Sequence, residues 1–236
     1  MIKILHLYHD LMNLYGDYGN LVVLCDNLKR NGIDYEMDKL SVGDDIDFDL
    51  YDFIYCGSGT ESKTDIAFKD IMKRKVQFLK AYQNNKIILF TGSSSMLLGK
   101  TYDNNNGLGI FGFDVKKGVK RINGDVVISS KDFKDVIGFV NTSYTTNNIE
   151  EYISIIGSDS LLSNYNSIGF AKNNLFAINM CGPLLVKNPD ILKEYVIKLG
   201  KISSNNFVYK DTIKKNQYDA YRIGLNELKN RFNIKN

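Results

Sequence analysis

The chain has 236 residues, a net charge of +3, 24% charged residues and 44% hydrophobic ones. This is ordinary globular composition, with enough chain to bury a full core. The mild, mixed charge argues against a nucleic-acid partner, and no apolar run approaches the roughly 20 residues that a membrane span needs.

In chain order, Ile2 to Tyr8 reads as a buried first strand rather than a leader, because its apolar stretch is short and soon meets charge. The loop His9 to Gly19 suits a strand-to-helix turn. Asn20 is the expected N-cap of a helix carrying Leu21, Leu24, Cys25 and Leu28, which Gly32 stops. Tyr35 to Leu40 and Phe53 to Cys56 are the next strands, the latter ending in Gly57-Ser58-Gly59. Asp65 to Tyr82 carries Ile66, Ile71, Val76 and Leu79 and predicts one long helix, with Lys69, Lys73, Arg74, Lys75 and Lys80 on its solvated face.

Lys86 to Lys100, KIILFTGSSSMLLGK, reads as strand, sharp small-residue turn and helix start. In α/β folds a nucleophile sits at such a turn. Strand–helix alternation up to this point predicts a parallel sheet with helices on both faces.

The second half is rich in glycine. Short β-rich runs at Phe113–Lys120, Asp125–Ser129, Ile137–Asn141, Tyr152–Ile156 and Ile168–Phe170 predict antiparallel hairpins. Leu175 to Asn179 is a further strand. Asn188-Pro189-Asp190 opens a helix running to Gly200, and an amphipathic helix spans roughly Asn216 to Phe232. Residues 1–200 are expected to form the main domain, and 201–236 an extension whose helix packs on it.

Cys25, Cys56 and Cys181 are odd in number and widely spaced, which fits a reducing cytoplasm and neither a disulfide framework nor a zinc site. Nothing in the sequence calls for a cofactor. The two histidines, His6 and His9, lie at the start, so no histidine base is available later. His6 is expected to be packed and hydrogen-bonded. His9 beside Asp10 could face a ligand, although two neighbours are too few for a metal site.

Several stretches then carry a resemblance. His6-Leu7-Tyr8, Asp10-Leu11-Met12-Asn13-Leu14-Tyr15-Gly16-Asp17 with Gly19-Asn20, Leu97-Leu98-Gly99-Lys100, Gly138-Phe139 with Asn141, and Gly182-Pro183-Leu184-Leu185 with Lys187-Asn188-Pro189 agree in order and spacing. From about residue 3 to 200 the chain resembles the class I glutamine amidotransferase domains of the cobyric acid synthase type, and within them the GatD branch, the glutaminase subunits of lipid II isoglutaminyl synthase. The resemblance implies a flavodoxin-like α/β sheet with flanking helices and extra antiparallel strands. It also implies glutamine hydrolysis by a cysteine and a histidine, with ammonia passed to a Mur-ligase-like synthetase partner that amidates a cell-wall precursor.

The resemblance breaks where the chemistry should be. The family turn reads roughly Cys-Gly-Gly-Tyr-Gln-Leu-Leu-Gly, and its cysteine position here is Gly92. The family's His-Gly-Pro-Leu-Leu is Cys181-Gly182-Pro183-Leu184-Leu185, so Cys181 holds the histidine position. In place of Glu-Asn-His-Gly-Gly-Arg, Val140-Asn141-Thr142-Ser143-Tyr144-Thr145 follows Phe139, and the substrate-holding arginine is Thr145. No catalytic residue is therefore expected, and the degenerate pocket comprises Gly57, Ser58, Gly59, Ser93, Asn141 and Thr145. The N–H groups of Gly57-Ser58-Gly59 could still hold a small anion. Ser93, Ser94 and Ser95 lack a base and are expected to cap the following helix. Cys56 and Cys181 are expected to be core thiols. Three functions follow: an inactive binding or regulatory subunit, an active glutaminase using another thiol, or a different hydrolase or small-molecule binder working through Ser93, Asn141 or Cys181.

Overall fold

Three apolar runs of the first half alternate side chains to opposite faces, so each of those strands feeds two cores, while Tyr35–Leu40 is a half-exposed edge strand. In the computed structural model, which describes residues 1–147, 153–162 and 167–234, these strands are β1 (Ile2–Leu7), β2 (Tyr35–Leu40), β3 (Phe53–Cys56) and β4 (Ile87–Thr91). Between them lie α1 (Gly19–Arg30), α2 (Glu61–Lys73) and α3 (Lys75–Gln83). On one face Ile2, Ile4, Phe53, Tyr55, Ile87 and Leu89 meet Leu21, Leu24, Cys25 and Leu28 of α1. On the other, Leu5, Leu7, Ile54, Cys56, Ile88 and Phe90 meet Ala67, Phe68 and Ile71 of α2 and Phe78 and Ala81 of α3.

After β4 come the short β5 (Thr101–Tyr102) and β6 (Asn105–Asn106), then β7 (Asp114–Ser129), β8 (Val136–Asn147), β9 (Ser154–Ser158), β10 (Gly169–Lys172) and β11 (Leu175–Ile178). The chain closes with α4 (Leu184–Lys187), α5 (Pro189–Ser203) and α6 (Lys215–Arg231). The main sheet runs β10-β11-β4-β3-β1-β2, parallel except for the β10–β11 pair. The second sheet is built on the antiparallel β7–β8 and β7–β9 pairs. The chain leaves β1 for β2 on one side and returns to β3 on the other. The carboxyl ends of β1 and β3 are thus a topological switch point, where α/β sheets hold ligands.

Three expectations change. The helix foreseen from Asp65 to Tyr82 is two helices, broken at Arg74 (φ −104°, ψ 11°). Arg74 does not lie on the solvated face either: its guanidinium donates to the buried Asp70 carboxylate at 2.9 Å and to the Asp44 carbonyl at 2.6 Å. The break resets the helical phase, so Phe78 and Ala81 face the core while Val76 is 82% exposed. The two runs foreseen between Phe113 and Ser129 are one strand with a bulge between Lys117 and Ile122. Gly118 and Gly124 punctuate no turn; they admit close neighbours, the Ser143 carbonyl and the Asp159 side chain, where a Cβ would collide. The run Tyr152–Ile156 lies partly outside the described residues, and β9 begins at Ser154.

The C-terminal helix α6 seats Tyr221, Leu225 and Leu228, with Phe232 just beyond it, on Val127 and Ile137 of the second sheet. No helix among the described residues is long and apolar enough to cross a membrane.

Candidate functional site

The strand ends at the switch point are pinned by one buried asparagine. Asn20 is not an N-cap; it lies inside α1, which begins at Gly19. Its amide donates to the Asp17 carbonyl (3.0 Å) and to the Tyr55 hydroxyl (2.9 Å), and its oxygen accepts from Leu185 N–H (2.7 Å). It thereby ties the β1–α1 loop, β3 and the start of α4 together.

Gly92 follows β4 with φ +59°, the left-handed conformation that a strand-to-helix nucleophile turn requires. The segment beyond it, Gly92–Leu98, is a 3-10 helix rather than an α-helix. Its serines cap no helix N–H. Ser94 Oγ lies 2.9 Å from both the Cys56 and Thr91 carbonyls, and Ser95 Oγ donates to the Gly92 carbonyl at 2.7 Å. Ser93 Oγ lies 3.0 Å from the Gly59 carbonyl and 2.9 Å from the Thr64 hydroxyl. All three serines are buried.

The turn Gly57-Ser58-Gly59 faces Gly92, and none of the N–H groups around it that the structure pairs is left for an anion. Ser58 N–H donates to Asp17 Oδ2 (2.5 Å), Gly59 N–H to Ser93 Oγ (2.9 Å) and Ser93 N–H to Ser58 Oγ (3.3 Å). Two N–H groups of the expected anion cradle, those of Ser58 and Gly59, are engaged by a carboxyl group and a hydroxyl of the chain itself.

Ser58 also lies beside Cys181, and its side chain lowers the pKa of that thiol. Cys181 in turn donates to the Asn141 carbonyl at 3.6 Å. Burial pushes this thiol up to about 11, which favours the protonated form at neutral pH. Cys56 is fully buried, and burial raises its thiol further.

Asp17 is buried, and its Oδ1 has no partner. Burial raises its carboxyl to about 7, outweighing the hydrogen bonds from the backbones of Ser58 and Gly182 and the Thr91 hydroxyl, which lower it. His6 is packed as expected, with its ring 5.6 Å from Tyr18, but neither ring nitrogen has a hydrogen-bond partner. Burial, with the nearby His9 and Lys39, lowers its pKa to about 4. His9 is half-buried 6.0 Å from His6, ring to ring. Among the described residues no group of three or more His, Cys, Asp or Glu could hold a metal.

Above this cluster is a cavity of about 40 Å³, room for roughly three water molecules. Its lining includes Tyr15, Gly59, Glu61, Ser93, Arg121 and Asn141. Several of its lining side chains are bonded to one another. Arg121 pairs with Glu61 and donates to Asn141 Oδ1 (3.0 Å), Asn141 donates to the Tyr15 hydroxyl (2.9 Å), and Ser143 donates to Glu61 (2.7 Å). Burial alone would raise the Glu61 carboxyl, but the Ser143 hydroxyl, its own backbone N–H and Arg121 hold it below its ordinary value.

Of the sequence-predicted residues, Gly57, Ser58, Gly59, Gly92, Ser93, Asn141 and Cys181 converge at the switch point. Thr145 does not. It is exposed further along β8, its hydroxyl 3.5 Å from the Lys116 carbonyl. Sequence reasoning missed Asp17, Glu61, Arg121 and Ser143. Only the Asp within the shared loop motif carried any local signal.

No family model matches the chain. It is similar to two proteins named lipid II isoglutaminyl synthase (glutamine-hydrolyzing) subunit GatD. One is from Staphylococcus aureus, 28% identical over 199 residues, covering 80% of this chain and 81% of that protein. The other is from Streptococcus pneumoniae, 26% identical over 200 residues, covering 80% and 77%. Among solved structures it shares its fold with PurLQS from Thermotoga maritima (TM-score 0.54, 12% identity, 95% of this chain and 99% of that one). It also shares it with a glutamine amidotransferase from Thermotoga maritima (TM-score 0.52, 12% identity, 99% of each chain).

Proposed function

We propose that this chain, a class I glutamine amidotransferase-like domain similar to the GatD subunits, is a subunit that no longer hydrolyses glutamine and serves as a binding or regulatory partner of a Mur-ligase-like amide synthetase in cell-wall precursor amidation. The observation that carries the first half is Gly92. At the left-handed turn where a class I site needs its nucleophile, the chain has no side chain at all. Three further features support it. The position of the base is a thiol whose pKa burial raises, no histidine follows His9, and the N–H groups of Ser58, Gly59 and Ser93 are already engaged. The second half is supported by the relatives' names, since both are subunits of a synthase, and by the retained scaffold of the switch point.

Neither alternative gains support. Ser93 is buried, bonded to Thr64 and Gly59, and has no base. Cys56 and Cys181 are buried thiols with raised pKa values.

The test has two arms. After incubation with a glutamine-mimicking diazo ketone, intact mass is expected to show no adduct. Affinity purification from the protein's own cell is expected to recover a Mur-ligase-like synthetase in stoichiometric amount. An adduct on Cys56, Cys181 or Ser93 would contradict the loss of activity, and the absence of the synthetase would contradict the role as its partner.

A further inference from the structure

We infer that Ser58 is the residue that closes this site, and that positions 58 and 92 are coupled: a side chain at 92 requires glycine at 58. The inference deepens the reading of a non-hydrolytic subunit and rests on it for its functional meaning, though not for its geometry.

A Cβ built on Gly92 lies 2.4 Å from Ser58 Cβ, 2.4 Å from Ser58 Oγ and 3.2 Å from Ser58 Cα. A hydroxyl could rotate away, but rotation about χ1 moves neither Cβ nor Cα. The overlap is therefore with atoms that only a backbone shift can displace.

The backbone has nowhere to go. Behind the turn, the hydrogen direction of Gly57 points at the Met12 carbonyl, where a Cβ would sit 2.5 Å from the oxygen. Gly59 is equally tight against Met12 Sδ and the Leu11 carbonyl, at 2.6 and 3.0 Å from the same construction. Hydrogen bonds also hold the turn: Ser58 N–H to Asp17, and Leu14 N–H to the Ser58 carbonyl at 2.8 Å. A turn packed this closely transmits strain rather than absorbing it.

Ser58 acts on the chemistry a second way. Its Oγ accepts from Ser93 N–H, and its side chain lies beside the Cys181 thiol, whose pKa it lowers. It thus stands between the positions of nucleophile and base, and it consumes an N–H that could otherwise face a developing oxyanion. Replacing Gly92 and Cys181 alone would leave both the overlap and the engaged donor in place. A side chain at 92 therefore calls for Ser58→Gly as well.

The experiment is a double-mutant cycle in melting temperature: natural protein, Gly92→Cys, Ser58→Gly and the double variant, with Gly92→Ala run in both backgrounds as the smaller probe. With Ser58 present, Gly92→Cys is expected to lower Tm by about 5–10 °C or to prevent folding. With glycine at 58 the same change is expected to cost less than half of that, and iodoacetamide should alkylate the new thiol. The remaining loss reflects the left-handed backbone. Equal losses in both backgrounds, for both the Cys and the Ala variants, would overturn the coupling, as would failure of every position-92 variant to fold even with Ser58→Gly. Because the readout is Tm, glutamine hydrolysis by the natural protein would end the proposed function without touching this result.

Discussion

Asn20→Ala is expected to lower the stability of the fold by about 3 kcal/mol, a fall in Tm of roughly 6–12 °C for a chain of this size. The side chain makes three buried hydrogen bonds to three segments. Removing it leaves Leu185 N–H, inside the core at the start of α4, without an acceptor. An unsatisfied buried donor costs about 1–3 kcal/mol, and the Tyr55 hydroxyl and the Asp17 carbonyl lose a donor as well. The cavity left at a fully buried position adds to the loss. Thermal denaturation measures it. A loss under about 1 kcal/mol would mean that water replaces the side chain and that the three segments hold together without it.

Asp17→Asn is expected to change how stability depends on pH. A carboxyl whose folded pKa is raised to about 7, from an ordinary 3.8, stabilises the fold fully below 3.8. That contribution is lost as pH rises toward 7, because the unfolded chain releases its proton first. The loss is about 4 kcal/mol across the window. His6 works the other way. Its folded pKa of about 4 lies below the ordinary 6.5, so its contribution is present above 6.5 and lost as pH falls toward 4. The two slopes oppose each other over nearly the same range, and the natural protein should be almost flat between pH 4 and 6.5. The amide variant cannot ionise, so only the His6 slope remains. Its Tm relative to the natural protein is expected to be at least about 8 °C more favourable at pH 8 than at pH 4.5. The same difference at both pH values would show that Asp17 titrates as an exposed carboxyl does.

The main sheet was legible because Ile2–Leu7, Phe53–Cys56 and Ile87–Thr91 are apolar runs with small or turn residues at their ends. Their strand character is local. Gly92 and Cys181 were singled out through motif spacing, and the structure places both beside Ser58. Local periodicity failed where tertiary contacts decide. The helix break at Arg74 serves Asp70 and Asp44, which are four and thirty residues away. Gly118 and Gly124 look like turn glycines and are close-approach glycines within one long strand. Ser58 read as a pocket residue offering its N–H; that its side chain opposes position 92 was hidden, because this depends on a glycine 34 residues later. Arg121 and Glu61 are 60 residues apart and separately resemble surface charges, yet together they line the cavity.

The proposed loss of glutaminase chemistry is tested most directly by ammonia release from glutamine, measured on the purified protein alone and with the proposed synthetase partner. We predict release no faster than the buffer background in both samples. Turnover in the ordinary enzyme range, about 1 s⁻¹ or more, would contradict the account. It would mean that a nucleophile acts at this switch point without a side chain at Gly92.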